Sequence, residues 1–153
     1  MTAPNEPPRT DRYLGRDWAH PALDESNRAF FTSGRISLRT CAECEAVQHP
    51  PQQVCSECQG TRFSTRTSKG VGAVYSRVVV HHAAHPSLAG AVPYCVALIA
   101  LDDFPEARIV GNVVDVPAAE VQIGLRVRAV FEQIEDGGEA LLIPQWAPLA
   151  SND

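Results

Sequence analysis

Two C-x-x-C knuckles, Cys41-Ala-Glu-Cys44 and Cys55-Ser-Glu-Cys58, constrain this chain more than any other feature. Each closes a tight turn that aims two thiolates at one point. Together they supply four sulfurs, the set that suits tetrahedral Zn²⁺. Four thiolates leave the ion no open position for water, so the expected role is structural: one Zn²⁺ per chain, held by Cys41, Cys44, Cys55 and Cys58. His49 lies between the knuckles with no vacancy to fill. The fifth cysteine, Cys95, makes the count odd. Metal-bound thiolates in a reducing, cytoplasmic compartment fit that count better than a disulfide framework.

A ribbon this short needs its metal to fold, whereas the roughly 85 residues beyond it are enough for a core. Acidic side chains number 18 against 13 basic ones, a net charge of −5, and every basic residue except Lys69 is arginine. A negative chain gains nothing general from phosphate backbones, although a local arginine cluster can hold one small anion. No stretch approaches the ~20 apolar residues of a membrane span, and the N-terminus lacks the apolar region of a secretory signal.

The pattern divides the chain into a tail and arm (1–21), a helix (22–35), the ribbon (36–68), a β domain (69–147) and a short polar tail (148–153). Residues 1–12 are polar and proline-rich and read as mobile. Tyr13, Leu14 and Trp18 follow in no period, as an apolar arm that docks on a partner or packs on its own domain. The helix is expected to begin near Pro21 or Asp24 and to stop at Gly34; Leu23, Phe30 and Phe31 are its large apolar residues. Pro50-Pro51 stiffens the turn between the knuckles.

From residue 70 the sequence reads as strands. The spacing predicts strands over 71–80, with Gly72 a bend or bulge, over 94–101, and over 107–114, interrupted by Gly111. One helical turn is expected at 115–120, with Asp115 as its N-cap. A half-buried alternating strand over 126–134, a turn at Asp136-Gly137-Gly138 and a last strand over 139–146 complete the set. Five strands with a helical turn between the third and fourth is the order of an OB-fold barrel. The expected class is therefore mainly β: an N-terminal helix and zinc ribbon followed by a five-stranded OB-fold.

The stretches Phe30-Phe31-Thr-Ser-Gly34-Arg35-Ile36, Gln48-His49-Pro50-Pro51 inside the ribbon, Gly70-Val-Gly-Ala-Val-Tyr75-Ser, His85-Pro86…Val92-Pro93-Tyr94, Gly111-Asn112 and Ile123-Gly124-Leu125 carry a narrower likeness. From about Leu23 to Trp146 the chain resembles the DUF35 family, whose members join a rubredoxin-like zinc ribbon to an OB-fold and accompany thiolase-like enzymes. The resemblance implies a non-catalytic accessory subunit. Its partner would be a thiolase, acyltransferase, side-chain aldolase or MaoC-like hydratase in lipid or polyketide metabolism, with acyl-CoA at the shared site. It implies that His85, Pro86 and Tyr94 shape the ligand passage. Trp18, Phe30 and Phe31 are the docking residues expected from the apolar arm and helix. One departure stands out. The residue after each knuckle is often glycine in the family, which eases φ > 0; here it is Glu45 and Gln59.

Other candidates have plainer readings. His81 and His82 are adjacent and point to opposite faces of a strand, so they do not converge on a metal. Cys95 lies inside an apolar strand and reads as an inert buried thiol. No serine elbow or nucleotide-binding glycine loop is present. Arg77, Arg108, Arg126 and Arg128 fall on strands; most read as solvated, and only convergence would make a phosphate site. The alternative function is a free-standing OB-fold and zinc-ribbon nucleic-acid binder, which needs a basic groove with exposed aromatics. Tyr75, Tyr94, Phe131 and Trp146 are the strand aromatics available to it.

Overall fold

A computed structural model describes residues 6–11, 13 and 18–150. Two antiparallel sheets dominate it. β1 (Ile36–Cys41) is the centre of the first, flanked by β2 (Val47–Gln48) and β3 (Phe63–Ser68). The second runs in the order β6-β5-β4-β7-β8, built from β4 (Val71–Val80), β5 (Tyr94–Leu101), β6 (Arg108–Asn112), β7 (Arg126–Asp136) and β8 (Glu139–Pro148). This is the ribbon-then-OB order expected from the sequence. The sheet is curled but not closed by a ladder. Its two edge strands meet at a single parallel bridge, Val113 to Trp146, with the Val114 amide donating to the Trp146 carbonyl at 2.8 Å.

The two sheets share one core. Ile36 and Leu38 of β1 leave the ribbon and pack with Val74, Ile99, Ile109 and Trp146 of the barrel. The junction is tied by Asp103, which accepts from the Ser68 hydroxyl (2.7 Å) and the Lys69 amide (2.8 Å). β5 alternates strictly, with Cys95, Ala97, Ile99 and Leu101 facing inward. Gly72 is needed for close approach: a Cβ there would sit 2.2 Å from the Ala100 carbonyl oxygen. The bulge itself falls three residues later, where the pairing with β5 skips Tyr75. Gly111 does not break its strand. It makes room for the Trp146 indole, which a Cβ would meet at 2.8 Å.

Three further expectations are corrected. The helix is only α1 (Arg28–Thr32), not residues 22–35. Asp24 folds the preceding residues into a turn, its carboxylate accepting from the amides of Ser26 (2.7 Å) and Asn27 (3.0 Å). A short polar side chain that bonds nearby amides this way competes with helix propagation. Asp115 does not cap the helical turn, which spans Ala118–Glu120 behind Pro117. Asp115 has φ 62° and turns its carboxylate to Arg9.

The third correction concerns the N-terminal tail, whose described part is docked. β7 pairs with β4 only at residues 126–128, which leaves its later amides open on that side. Arg9 fills the gap: its amide donates to the Phe131 carbonyl and its carbonyl accepts from the Gln133 amide, both at 2.7 Å. The Arg9 guanidinium forks onto Asp115 at 2.8 and 2.6 Å. Tyr13 packs on Val114, Val130 and Ala147, so this part of the apolar arm lies on its own domain. Leu14 lies outside the described residues.

Hydrogen bonds from Arg9 hold the Asp115 carboxyl below its usual range. A depressed folded value means the pair stabilises above the unfolded carboxylate value, ~3.9, and that this is lost as pH falls through the lower folded value. Asp115→Asn keeps a side chain that tolerates φ > 0 and removes the charge. It is expected to cost roughly 0.5–1 kcal/mol at pH 7 and to speed hydrogen exchange at the Gln133 amide. Unchanged exchange there would show that the fork does not hold the strap.

Candidate metal centre and adjoining groove

β1 delivers Cys41 at its end, and the first knuckle turns back at once. The Glu45 amide donates to the Cys41 carbonyl at 3.1 Å, and in the second knuckle the Gln59 amide donates to the Cys55 carbonyl at 3.0 Å. Closing these turns requires φ > 0 at the residue after each knuckle, and Glu45 and Gln59 adopt 63° and 64°. Glycine adopts such φ values without strain, whereas a non-glycine residue held there is strained by about 1 kcal/mol.

The four sulfurs lie within 4.8 Å of one another, with Cys41 to Cys58 and Cys44 to Cys55 both at 3.6 Å. A tetrahedron with Zn–S arms of ~2.3 Å has edges of about 3.8 Å, so the cluster fits one zinc. All five cysteines are free thiols. Amides of Glu43 and Cys44 aimed at the Cys41 sulfur bring that thiol down to about 7, whereas the Cys44 and Cys58 thiols, hydrogen-bonded to the same sulfurs, are raised. His49 is no ligand. It packs on Phe30 at 4.8 Å between ring centroids, and burial pushes its imidazole down to about 4, so it is neutral at pH 7.

A groove of about 570 Å³ opens between α1, the 49–51 turn and the unclosed seam of the barrel. Phe30, Phe31, Pro50 and Pro51 form its apolar side; Asn112, Gln145 and Arg108 supply polar groups from the edge strands. Its volume lies within the ~300–1,000 Å³ of small-molecule sites. Gln145 accepts from the Asn112 amide at 2.9 Å, and the Asn112 side chain donates to the Cys95 carbonyl at 3.0 Å, so both amides are fixed in place.

The expected site residues are dispersed. Phe30 and Phe31 stack edge to face at 5.0 Å and line the groove, but Phe30, expected to dock on a partner, is only 7 % exposed and belongs to the chain's own core. Trp18 lies 6.1 Å from the His85 ring. His85 is exposed and caps the turn Pro86–Leu88, accepting from the Ser87 amide at 3.2 Å. Tyr94 is half-buried at the start of β5. His85, Pro86 and Tyr94 do not line the groove. Cys95 is fully buried and its thiol is raised by that burial, as expected of an inert core residue. Sequence reading missed Asn112, Gln145 and Arg108 as groove residues. Gly111-Asn112 was the available signal, and it reads as a bulge until Trp146 is seen behind it.

The purified chain is expected to carry one zinc by elemental analysis, and Cys55→Ser to lose it together with ribbon structure. Gln59→Gly should keep the zinc and raise the unfolding midpoint slightly, since it relieves strain of about 1 kcal/mol against a smaller entropic cost of glycine. A fall in stability on that substitution would contradict the strain assignment.

Residues 29–64 match the family model of the ChsH2 rubredoxin-like zinc ribbon domain, and residues 65–132 that of the ChsH2 C-terminal OB-fold domain. The chain is 33 % identical over 131 residues to a probable enoyl-CoA hydratase alpha subunit of Thermomonospora curvata, covering 84 % of this chain and 39 % of that protein. It is 36 % identical over 100 residues to a DUF35 domain-containing scaffold protein of Methanocaldococcus jannaschii, covering 65 % of this chain and 69 % of that one. The chain thus spans about two-fifths of the length of the first of these relatives. Among solved structures, the Ltp2-ChsH2(DUF35) aldolase contains a chain that superposes with a TM-score of 0.66 at 32 % identity, covering 84 % of this chain and 98 % of that one. With the ribbon, the barrel order and the four-cysteine cluster all in place, the chain belongs to the DUF35 family of zinc-ribbon OB-fold proteins.

Proposed function

We propose that this chain is a non-catalytic accessory subunit that binds a thiolase-superfamily enzyme, such as a side-chain aldolase, and helps to form its acyl-CoA passage. The observation that carries the reading is the likeness to the ChsH2(DUF35) aldolase structure, whose matched chain is covered almost completely. The hydratase alpha subunit and the scaffold protein among the relatives point the same way, toward a subunit of a larger enzyme assembly.

The chemistry of the chain supports it. Four thiolates saturate a zinc, which leaves the ion a structural role. The neutral, half-buried His49 is packed against a phenylalanine rather than set beside a nucleophile. The groove offers shape and fixed amides, which suit binding and positioning. His85, Pro86 and Tyr94 belong to the passage in this reading, and Trp18 beside His85 carries docking to the same end of the barrel.

Expression of the tagged chain in its source organism is expected to co-purify an acyl-CoA-processing enzyme subunit, and the isolated chain to turn over no acyl-CoA thioester. Mixing the two purified proteins should raise the enzyme's rate or thermal stability. Turnover by the chain alone, or no change in the enzyme on mixing, would overturn the proposal.

A further inference from the structure

β5 is apolar on both sides. Its inward residues fill the core, while Val96, Leu98 and Ala100 face outward and are only partly covered. Pairing extends that outer row across three strands: Val78 of β4 lies opposite Val96, and Val110 of β6 lies opposite Leu98. Tyr75, Val78 and Val110 are 56 %, 55 % and 61 % exposed. An antiparallel sheet with one solvated face ordinarily turns polar residues outward. Ser76 stands opposite Leu98 and Asn112 opposite Val96, so the apolar positions Val78, Val96, Leu98 and Val110 form a diagonal patch. An apolar patch in that place marks a contact surface.

Arg108 fixes the character of what covers it. Its guanidinium lies 4.6 Å above the Tyr75 ring and donates to the carbonyls of Pro105 and Ala107. Arg126 pairs with Asp102 and Arg128 with Glu6, whereas no carboxylate pairs with Arg108 among the described residues. An unpaired cation beside an apolar patch, on a chain of net charge −5, is complemented by a carboxylate among apolar residues. A nucleic acid is a poor match, because of the two aromatic rings on this face Tyr94 is half-buried and Tyr75 is already covered by Arg108.

Resting on the accessory-subunit reading, we infer that the outer face of β4, β5 and β6 docks a folded enzyme subunit that presents an apolar patch and sets a carboxylate opposite Arg108. Arg108 and Val110 also line the groove, so the docked subunit roofs the groove's mouth and the ligand site is completed at the contact.

The test uses the full chain and the enzyme subunit identified by co-purification, both purified. Val78→Glu and Val110→Glu change exposed positions, and Val54→Glu, 43 % exposed in the loop between the knuckles, is the control. Each face variant is expected to weaken the complex tenfold or more by calorimetry, with Val54→Glu within twofold of wild type and zinc content unchanged in all three. Arg108→Gln should weaken binding and flatten its salt dependence. As a readout free of substitutions, hydroxyl-radical oxidation of Tyr75 should fall when the wild-type complex forms. Face variants binding within twofold of wild type, or Tyr75 oxidised equally in the complex, would overturn this placement and leave the accessory role standing. Failure of wild type to bind any enzyme subunit would overturn both. A homodimer split by the face variants, with enzyme binding unaffected, would assign the face to a second copy and overturn the inference.

Discussion

The convergence of four thiolates on one point is the constraint on which the rest of the molecule depends. The ribbon sheet is three short strands and cannot bury enough surface to hold itself. Fixing Cys41 fixes the end of β1, and β1 carries Ile36 and Leu38 into the barrel core beside Ile99 and Trp146. The metal site therefore does more than close a mini-domain. It anchors a strand whose side chains are part of the barrel's interior, so ribbon and barrel are coupled through shared packing rather than joined by a linker. The strain accepted at Glu45 and Gln59 is local and small beside the free energy of binding a structural zinc, ~10–16 kcal/mol in zinc-finger peptides.

How much of this was legible in the sequence follows from what each signal encodes. Knuckle spacing encodes metal geometry directly, so the four ligands and the ribbon were readable. Strand order was readable because turn residues and alternation mark each strand locally. The helix was overread because apolar residues at 23, 30 and 31 suggest a face, while the competing signal, the Asp24 carboxylate bonding two nearby amides, depends on a backbone turn already formed. The tail was misread for a related reason. Proline and polar composition describe what residues 6–11 cannot bury, but not that β7 leaves an open edge for Arg9.

The groove was illegible because no single segment contains it. It exists where the barrel is not closed by a ladder, and the residues that shape that seam lie far apart in sequence. Trp146 fills the space behind Gly111, and among the described residues the edges share one bridge, Val113 to Trp146. The position of Pro144 fits the same seam. Opposite Phe131 in the ladder and two residues from Trp146, whose carbonyl turns to Val114, it has the parity of a residue facing away from β7. A proline there removes no ladder hydrogen bond and leaves no unsatisfied amide at the seam. The gap is thus stable as built, with no backbone donor at Pro144 seeking a partner.

The outer face shows why apolar content alone could not be read. Eight consecutive residues of β5, Tyr94–Leu101, are apolar, and sequence periodicity cannot tell a strand buried on both faces from one buried on a single face. Structure resolves the choice. The inward set is fully enclosed, while the described chain leaves more than half of Val78 and Val110 exposed. Both sides of β5 nevertheless carry the composition of a core. Val78 and Val110, set diagonally beside Val96 and Leu98, also make a surface prone to unwanted contacts. That outer side adjoins the groove and Arg108, with which no carboxylate pairs among the described residues. β5 thus has the composition of a strand buried on both faces, and the described chain covers the outer one only in part.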